Sequence, residues 1–92
     1  MATYLMFGKY NTQGMQEMNP ERTAKAIDAI KQSGGTVESM YAALGSIDLV
    51  FVLHFPGNNE AMKASVMLSK MTGIGFTTSP AITVGEFDKL MA

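Results

Sequence analysis

The run Asp48-Leu49-Val50-Phe51-Val52-Leu53-His54-Phe55 carries apolar side chains on both of its alternating faces and follows the turn Gly45-Ser46-Ile47. Successive side chains of a strand point to opposite sides of its sheet, so such a strand needs cover twice. The chain has two amphipathic helix patterns to offer, and helices gathered on one side leave the other side to something else. That something is expected to be a second copy of the chain.

Composition narrows the function classes. Residues 1–92 suit one small domain, and a chain of this size buries only about 60–65% of the surface exposed on unfolding, so burial against a partner adds to its stability. A formal net charge of −1 with seven scattered basic residues gives no footprint for nucleic acid or for an anionic membrane surface. The absence of cysteine excludes a disulfide framework and a thiolate metal site and fits a reducing cytoplasm. No stretch reaches the roughly 18–20 apolar residues of a membrane span, and the first residues lack the pattern of a secretory signal. The nine methionines do not cluster as soft-metal ligands, and Met6, Met40, Met62, Met67 and Met71 fall where core packing accounts for them.

Along the chain, Ala2 to Tyr10 reads as strand one, with Gly8 marking a bulge or a close neighbour. After a polar loop, Asn19-Pro20-Glu21 reads as an N-cap, a proline at the first helical position and an acid facing the positive helix end. The first helix runs to about Ser33, with Thr23, Ala26, Ile27 and Ile30 as its inner stripe, and Gly34-Gly35 ends it. Thr36–Leu44 and Asp48–Phe55 read as a hairpin of strands two and three. One of its faces carries Met40, Ala42, Leu44, Leu49, Phe51, Leu53 and Phe55, with Glu38 near the end, and is the better candidate for the helix-covered core. The other carries Ser39, Tyr41, Ala43, Val50, Val52 and His54. A second helix, about Glu60–Thr72, is capped by Asn58 or Asn59 and lays Ala61, Ser65, Leu68 and Thr72 on the sheet. Its flanking Met62, Val66, Met67 and Met71 point to contact with a neighbouring subunit. Phe76–Val84 reads as strand four, which Pro80 confines to an edge, and Gly85–Ala92 as a last helical turn.

The order β-α-β-β-α-β predicts an α+β, ferredoxin-like unit with a four-stranded antiparallel sheet. Right-handed crossovers put strands one and three in the centre and two and four at the edges. Both helices then cover one face, and Tyr41, Val50 and Val52, with Tyr4 and Met6, are expected on the open one. Exposed apolar patches of that size are uncommon on monomers. Pairing two sheets face to face removes the patch from water, in an interface of about 1,200–2,000 Å² at ordinary size.

The segments Ala2-Thr3-Tyr4-Leu5-Met6, Asn19-Pro20-Glu21-Arg22-Thr23, Gly45-Ser46-Ile47-Asp48-Leu49-Val50 and Met62-Lys63-Ala64-Ser65 through Gly75-Phe76-Thr77-Thr78 together resemble the GYD-domain family over nearly the whole chain. The resemblance implies a relation to dimeric α/β-barrel proteins, which pair two ferredoxin-like sheets, and carries no assigned activity. Of the Gly-Tyr-Asp signature at the hairpin, Gly45 and Asp48 are matched, and Ile47 stands where the tyrosine is expected.

His54 is the only histidine, the residue type best suited to exchange a proton near neutral pH. If Gly45 faces Asp48 across the turn, Ser39 lies opposite His54 at roughly 5 Å between Cβ atoms and Tyr41 lies on the diagonal. With Tyr4 these make a polar cluster at one end of an apolar inter-sheet space, which is how small-ligand pockets are built. A strand-end histidine bonded to Ser39 is the plainer account of the same residues. Glu38, read onto the other face, does not complete a Ser-His-acid set. Asp48, about 20 Å from His54 at ~3.3 Å per residue, shares no metal with it and more simply satisfies backbone N–H groups. Lys9, Tyr10 and Arg22 meet near the start of the first helix, where an anion has a place to bind, though solvated side chains around a loop are the simpler account. Gly73-Ile74-Gly75 ends a helix and is no dinucleotide loop, and no other cofactor or metal motif is present. An RNA-recognition motif is excluded by a third strand without Lys or Arg. A metal-carrying relative needs a Cys pair after strand one, and a phosphate-cleaving one an arginine there; the segment has neither.

These readings lead to a cytoplasmic homodimer or higher homo-oligomer that binds a small, mainly apolar ligand between paired sheets through Tyr4, Ser39, Tyr41 and His54. An interaction module without a pocket is the alternative from another class. A cofactor-free oxygenase- or isomerase-like enzyme is a third, and whether the protein is an enzyme at all stays open at this point.

Overall fold

The structure is a computed structural model that describes residues 1–92, the side chain of Gln13 excepted. Its elements follow the order β1 (Ala2–Lys9), α1 (Thr12–Gln16), α2 (Pro20–Gln32), β2 (Thr36–Ala42), β3 (Leu49–Phe55), α3 (Asn58–Thr72), β4 (Gly75–Ala81) and α4 (Val84–Met91). The four strands form one antiparallel sheet in the order β2-β3-β1-β4. This is the ferredoxin-like α+β arrangement, with the two most apolar strands in the centre and the strand that contains Pro80 at an edge, where a missing N–H costs no ladder bond.

Local chemistry sets the helix ends. Asn19 caps α2 by accepting the Arg22 N–H, with Pro20 in the first turn. At its other end the N–H of Gly34 reaches the carbonyl of Lys31 and that of Gly35 reaches Ile30, a Schellman closure for which Gly34 takes φ 92°. Gly35 then lies against the Phe55 ring so closely that a Cβ there would overlap Cε1. The asparagines after Pro56 do not cap α3 as predicted; Gly57 occupies the cap position, and Asn58 Oδ1 instead accepts the Tyr4 hydroxyl at 2.6 Å.

The core lies between the sheet and the two long helices. Tyr4 and Met6 of β1 and Phe51, Leu53 and Phe55 of β3 meet Ala26, Ala29 and Ile30 of α2 and Ala61, Ala64 and Leu68 of α3. Small residues on both helices let them approach the pleated surface, and the Tyr4 and Phe55 rings meet edge to face with centroids 5.7 Å apart. Three expectations change here. Tyr4 and Met6 are buried under the helices and do not belong to the open face, because the β1–β3 register sets them beside Leu53 and Phe51. Leu44 is wholly exposed, because the hairpin connection is wider than predicted: Ala43 N–H bonds Asp48 O, and Leu44 sits in the turn between them. Met62 and Met71 fill no gap in the core but lie exposed on the outer side of α3.

Two helices add to the minimal unit. In the segment read as a loop, α1 is held at Asn11, whose side chain accepts the Gly14 N–H and donates to Gly73 O. Helix α4 is capped by Thr83 and buries none of its residues; Val84, Phe87, Leu90 and Met91 are exposed. Among the described residues no helix is long and apolar enough to cross a membrane.

Candidate functional site

The register assigns the side of the sheet away from α2 and α3. Leu5 and Phe7 of β1 pair with Val52 and Val50 of β3, and Ser79 and Thr77 of β4 continue their rows on the other side. Ser39 and Tyr41 of β2 complete the rows, opposite Val52 and Val50. Leu5, Phe7, Val50 and Val52 are half-buried, and Tyr41 is 60% exposed.

His54 ends this apolar strip. Its Nδ1 lies 3.2 Å from Thr3 Oγ1 and its Nε2 2.9 Å from Glu38 Oε1. A carboxylate accepts only, so Nε2 carries the proton in the neutral ring and Nδ1 accepts from the Thr3 hydroxyl. The result is a continuous hydroxyl–imidazole–carboxylate chain along the sheet surface. Beside it, between Thr3, Leu5 and Glu38 and the segment Ile82–Glu86 that leads into α4, lies an open groove of about 570 Å³.

The partners of His54 differ from those predicted. Ser39 faces Val52, and the residue opposite His54 on β2 is Thr36. Two features cause the shift: the wider hairpin turn moves the pairing by two residues, and a bulge between Val37 and Ser39 adds one more. A two-residue slip keeps every side chain on its face, which is why Ser39 and Tyr41 still share the side of His54. The bulge re-aims Glu38, expected on the covered side, toward the imidazole. Of the four residues named from the sequence, then, Ser39, Tyr41 and His54 share the open face, and Tyr4 lies behind it in the core. Thr3 and Glu38, which touch His54, were not among them. Thr3 was within reach of sequence reasoning through β1–β3 pairing, whereas a bulge without glycine or proline leaves no local mark.

The hairpin shows what the signature residues do. Asp48 Oδ2 accepts the Tyr10 N–H at 2.8 Å and stands 3.6 Å from Lys9 Nζ, while its own N–H reaches Gly8 O. It ties the end of β1 to the start of β3, a backbone-satisfying role as predicted, though the N–H it satisfies belongs to the neighbouring strand's end and not to the turn. Gly45 takes φ 121°, a left-handed conformation that other residues rarely adopt. The GYD-domain family model matches residues 4–91. This chain belongs to the GYD-domain family. In this GYD domain the turn stands at the far end of β3 from the His54 chain, and what its residues do here is join strands. No curated protein matches the chain.

Proposed function

We propose that this GYD domain is a cytoplasmic homodimer whose two sheets face each other and hold a small, mainly apolar ligand between them. The observation that carries the reading is the uncovered strip of Leu5, Phe7, Val50 and Val52 that runs into a roomy groove with a polar end. Apposing two such faces removes the strip from water and turns an open groove into an enclosed one. Helix α4, with its apolar residues exposed, supplies further surface for the partner copy, and the exposed Met62, Val66 and Met71 of α3 give dimers a route to higher assemblies.

Sedimentation equilibrium tests the assembly. The expected mass is twice that of one chain at micromolar concentration, and Val52→Glu, at the middle of the strip, is expected to yield a folded protomer. A wild-type protein that sediments as a monomer overturns the reading. Indole, titrated as a small apolar probe and followed by amide NMR, tests the ligand: shifts are expected at Thr3, Leu5 and Ile82. A dimer that leaves those amides unmoved is an interaction module without a pocket.

The Thr3–His54–Glu38 chain favours a second reading, a cofactor-free oxygenase- or isomerase-like enzyme with His54 as base. Glu38 orients the ring and the opposite nitrogen is the acceptor, as general-base chemistry requires. Acyl transfer through Thr3 fits less well, since β1 forms ladders on both sides and has no spare N–H groups for an oxyanion. His54→Ala is expected to abolish any turnover while leaving the dimer intact and stability within about 0.5–1 kcal/mol.

A further inference from the structure

A second binding site lies on the opposite side of the sheet: we propose that the cleft beneath the start of α2 takes a small aromatic acid, its ring among Met40, Phe51 and Phe76 and its carboxylate on Arg22 and Tyr10. This site shares no ligand contact with the groove at His54 and stands whether or not that groove is occupied.

The cleft, about 220 Å³, follows from side chains the sequence withholds. Gly8 presents nothing to the covered face, and its two ladder partners, Leu49 and Phe76, close in over it. A Cβ on Gly8 would stand 2.9 Å from Phe76 Cε1 and 3.2 Å from Leu49 Cβ. Above them α2 offers the small Ala26, with Arg22 and Thr23 toward its start. The Phe51 and Phe76 rings, 5.7 Å apart and tilted by 40°, make an aromatic floor. An apolar cavity of roughly 150 Å³ holds one benzene, so this one accommodates a substituted single ring or a compact fused pair.

The polar groups at the cleft sort into those already engaged and those that are not. Thr72 donates to Leu68 O and accepts from Ile74 N, and the Asn19 side chain accepts from Arg22 N and donates to Glu17 O. Arg22 gives one N–H, at Nη1, to Gly14 O and makes no ion pair among the described residues. Its guanidinium stands 5.7 Å over the Tyr10 ring, whose hydroxyl has no partner among the described residues. Of the three side chains the sequence brings near the start of this helix, Lys9 is turned away to Asp48 and Gly45 O. What remains is a planar cation and a phenol hydroxyl, with the exposed Thr23 hydroxyl, at the rim of an apolar cleft. A guanidinium fork matches the two oxygens of a carboxylate, and the lining matches a ring. Glu17, Glu21 and Lys25 line a neighbouring hollow with Arg22 and Asn19 and do not line the cleft itself.

The methionines provide the readout. Met40 and Met18 line the cleft, whereas Met62 and Met91 lie exposed on other elements. With the full chain labelled at methionine methyl carbons, benzoate is expected to move the Met40 and Met18 resonances saturably and leave Met62 and Met91 in place. Arg22→Gln is expected to weaken benzoate at least ~10-fold, the loss of a charge-assisted pair, and to leave the neutral benzyl alcohol unaffected. Ala26→Leu, which fills the cleft, should abolish both. If Ala26→Leu fails to fold, the Arg22→Gln comparison decides alone, because that side chain sits at the rim. The proposal is overturned if Met40 does not respond to millimolar benzoate, if all methionines move together, or if Arg22→Gln binds benzoate as well as the unaltered protein.

Discussion

The two faces of β3 are built from adjacent residues of almost equal hydropathy and meet opposite fates. Phe51, Leu53 and Phe55 are buried beneath α2 and α3, while Val50 and Val52, their immediate neighbours, are only half-buried on the side away from the helices. Burial of an apolar side chain is worth roughly 1.5–3 kcal/mol only where something covers it. The covered face therefore holds the protomer together, and the open face has that contribution still to gain from association.

The difference can be broken most forcefully at Leu53. Leu53→Ala leaves a hole in the core that Leu53 shares with Tyr4, Ile30 and Leu68, and it is expected to cost about 2–5 kcal/mol in urea unfolding. The same truncation next door, Val52→Ala, is expected to cost the isolated protomer less than about 1 kcal/mol and to act chiefly by weakening the dimer. If the two variants lose equal stability under conditions where the protein is monomeric, the faces do not differ as described. Gly35→Ala comes next, at about 1–3 kcal/mol, the usual range for overpacking. Its new Cβ would collide with the Phe55 ring and the backbone carbonyl of His54, which leaves little room to yield. Equal melting temperatures for Gly35→Ala and the parent protein would mean that the α2–β2 corner is looser than its contacts imply.

What the sequence revealed and what it concealed follow the same division. Strand order was legible, because apolar density picks the central strands and Pro80 an edge. The helix ends were legible where chemistry is local, at Asn19-Pro20 and Gly34-Gly35. Facing was not legible in β1: Tyr4-Leu5-Met6-Phe7 is apolar throughout, so alternation gives no hint which pair lies inward, and tertiary pairing with β3 decides it. Register was lost for a similar reason. The bulge at Val37–Ser39 and the wide turn at Ala43–Asp48 are settled by contacts between strands; the turn shifts the pairing by two residues and the bulge by one more, which exchanged the neighbours of His54 without changing its face. Helix α1 was hidden because Gly14 sits within it and the Asn11 bonds that hold it reach to Gly73.

The finest test lies at the polar end of the open face. Glu38 and His54 form an ion pair only when the ring is protonated, and Glu38 is 59% exposed, so solvent screens most of their attraction. Glu38→Gln keeps a hydrogen-bond acceptor at the same reach, and its effect on protomer stability is expected to stay below about 0.5 kcal/mol. The amide differs in one respect that matters: it can present either a donor or an acceptor to Nε2, so it no longer fixes which nitrogen carries the proton. Nitrogen-15 shifts of the His54 ring are therefore expected to report a single neutral tautomer, protonated at Nε2, in the parent and a mixture in the variant. A mixture already present in the parent would show that the bulge brings Glu38 near the ring without orienting it, and the base reading would lose its geometric support while the apolar strip beside it kept its own.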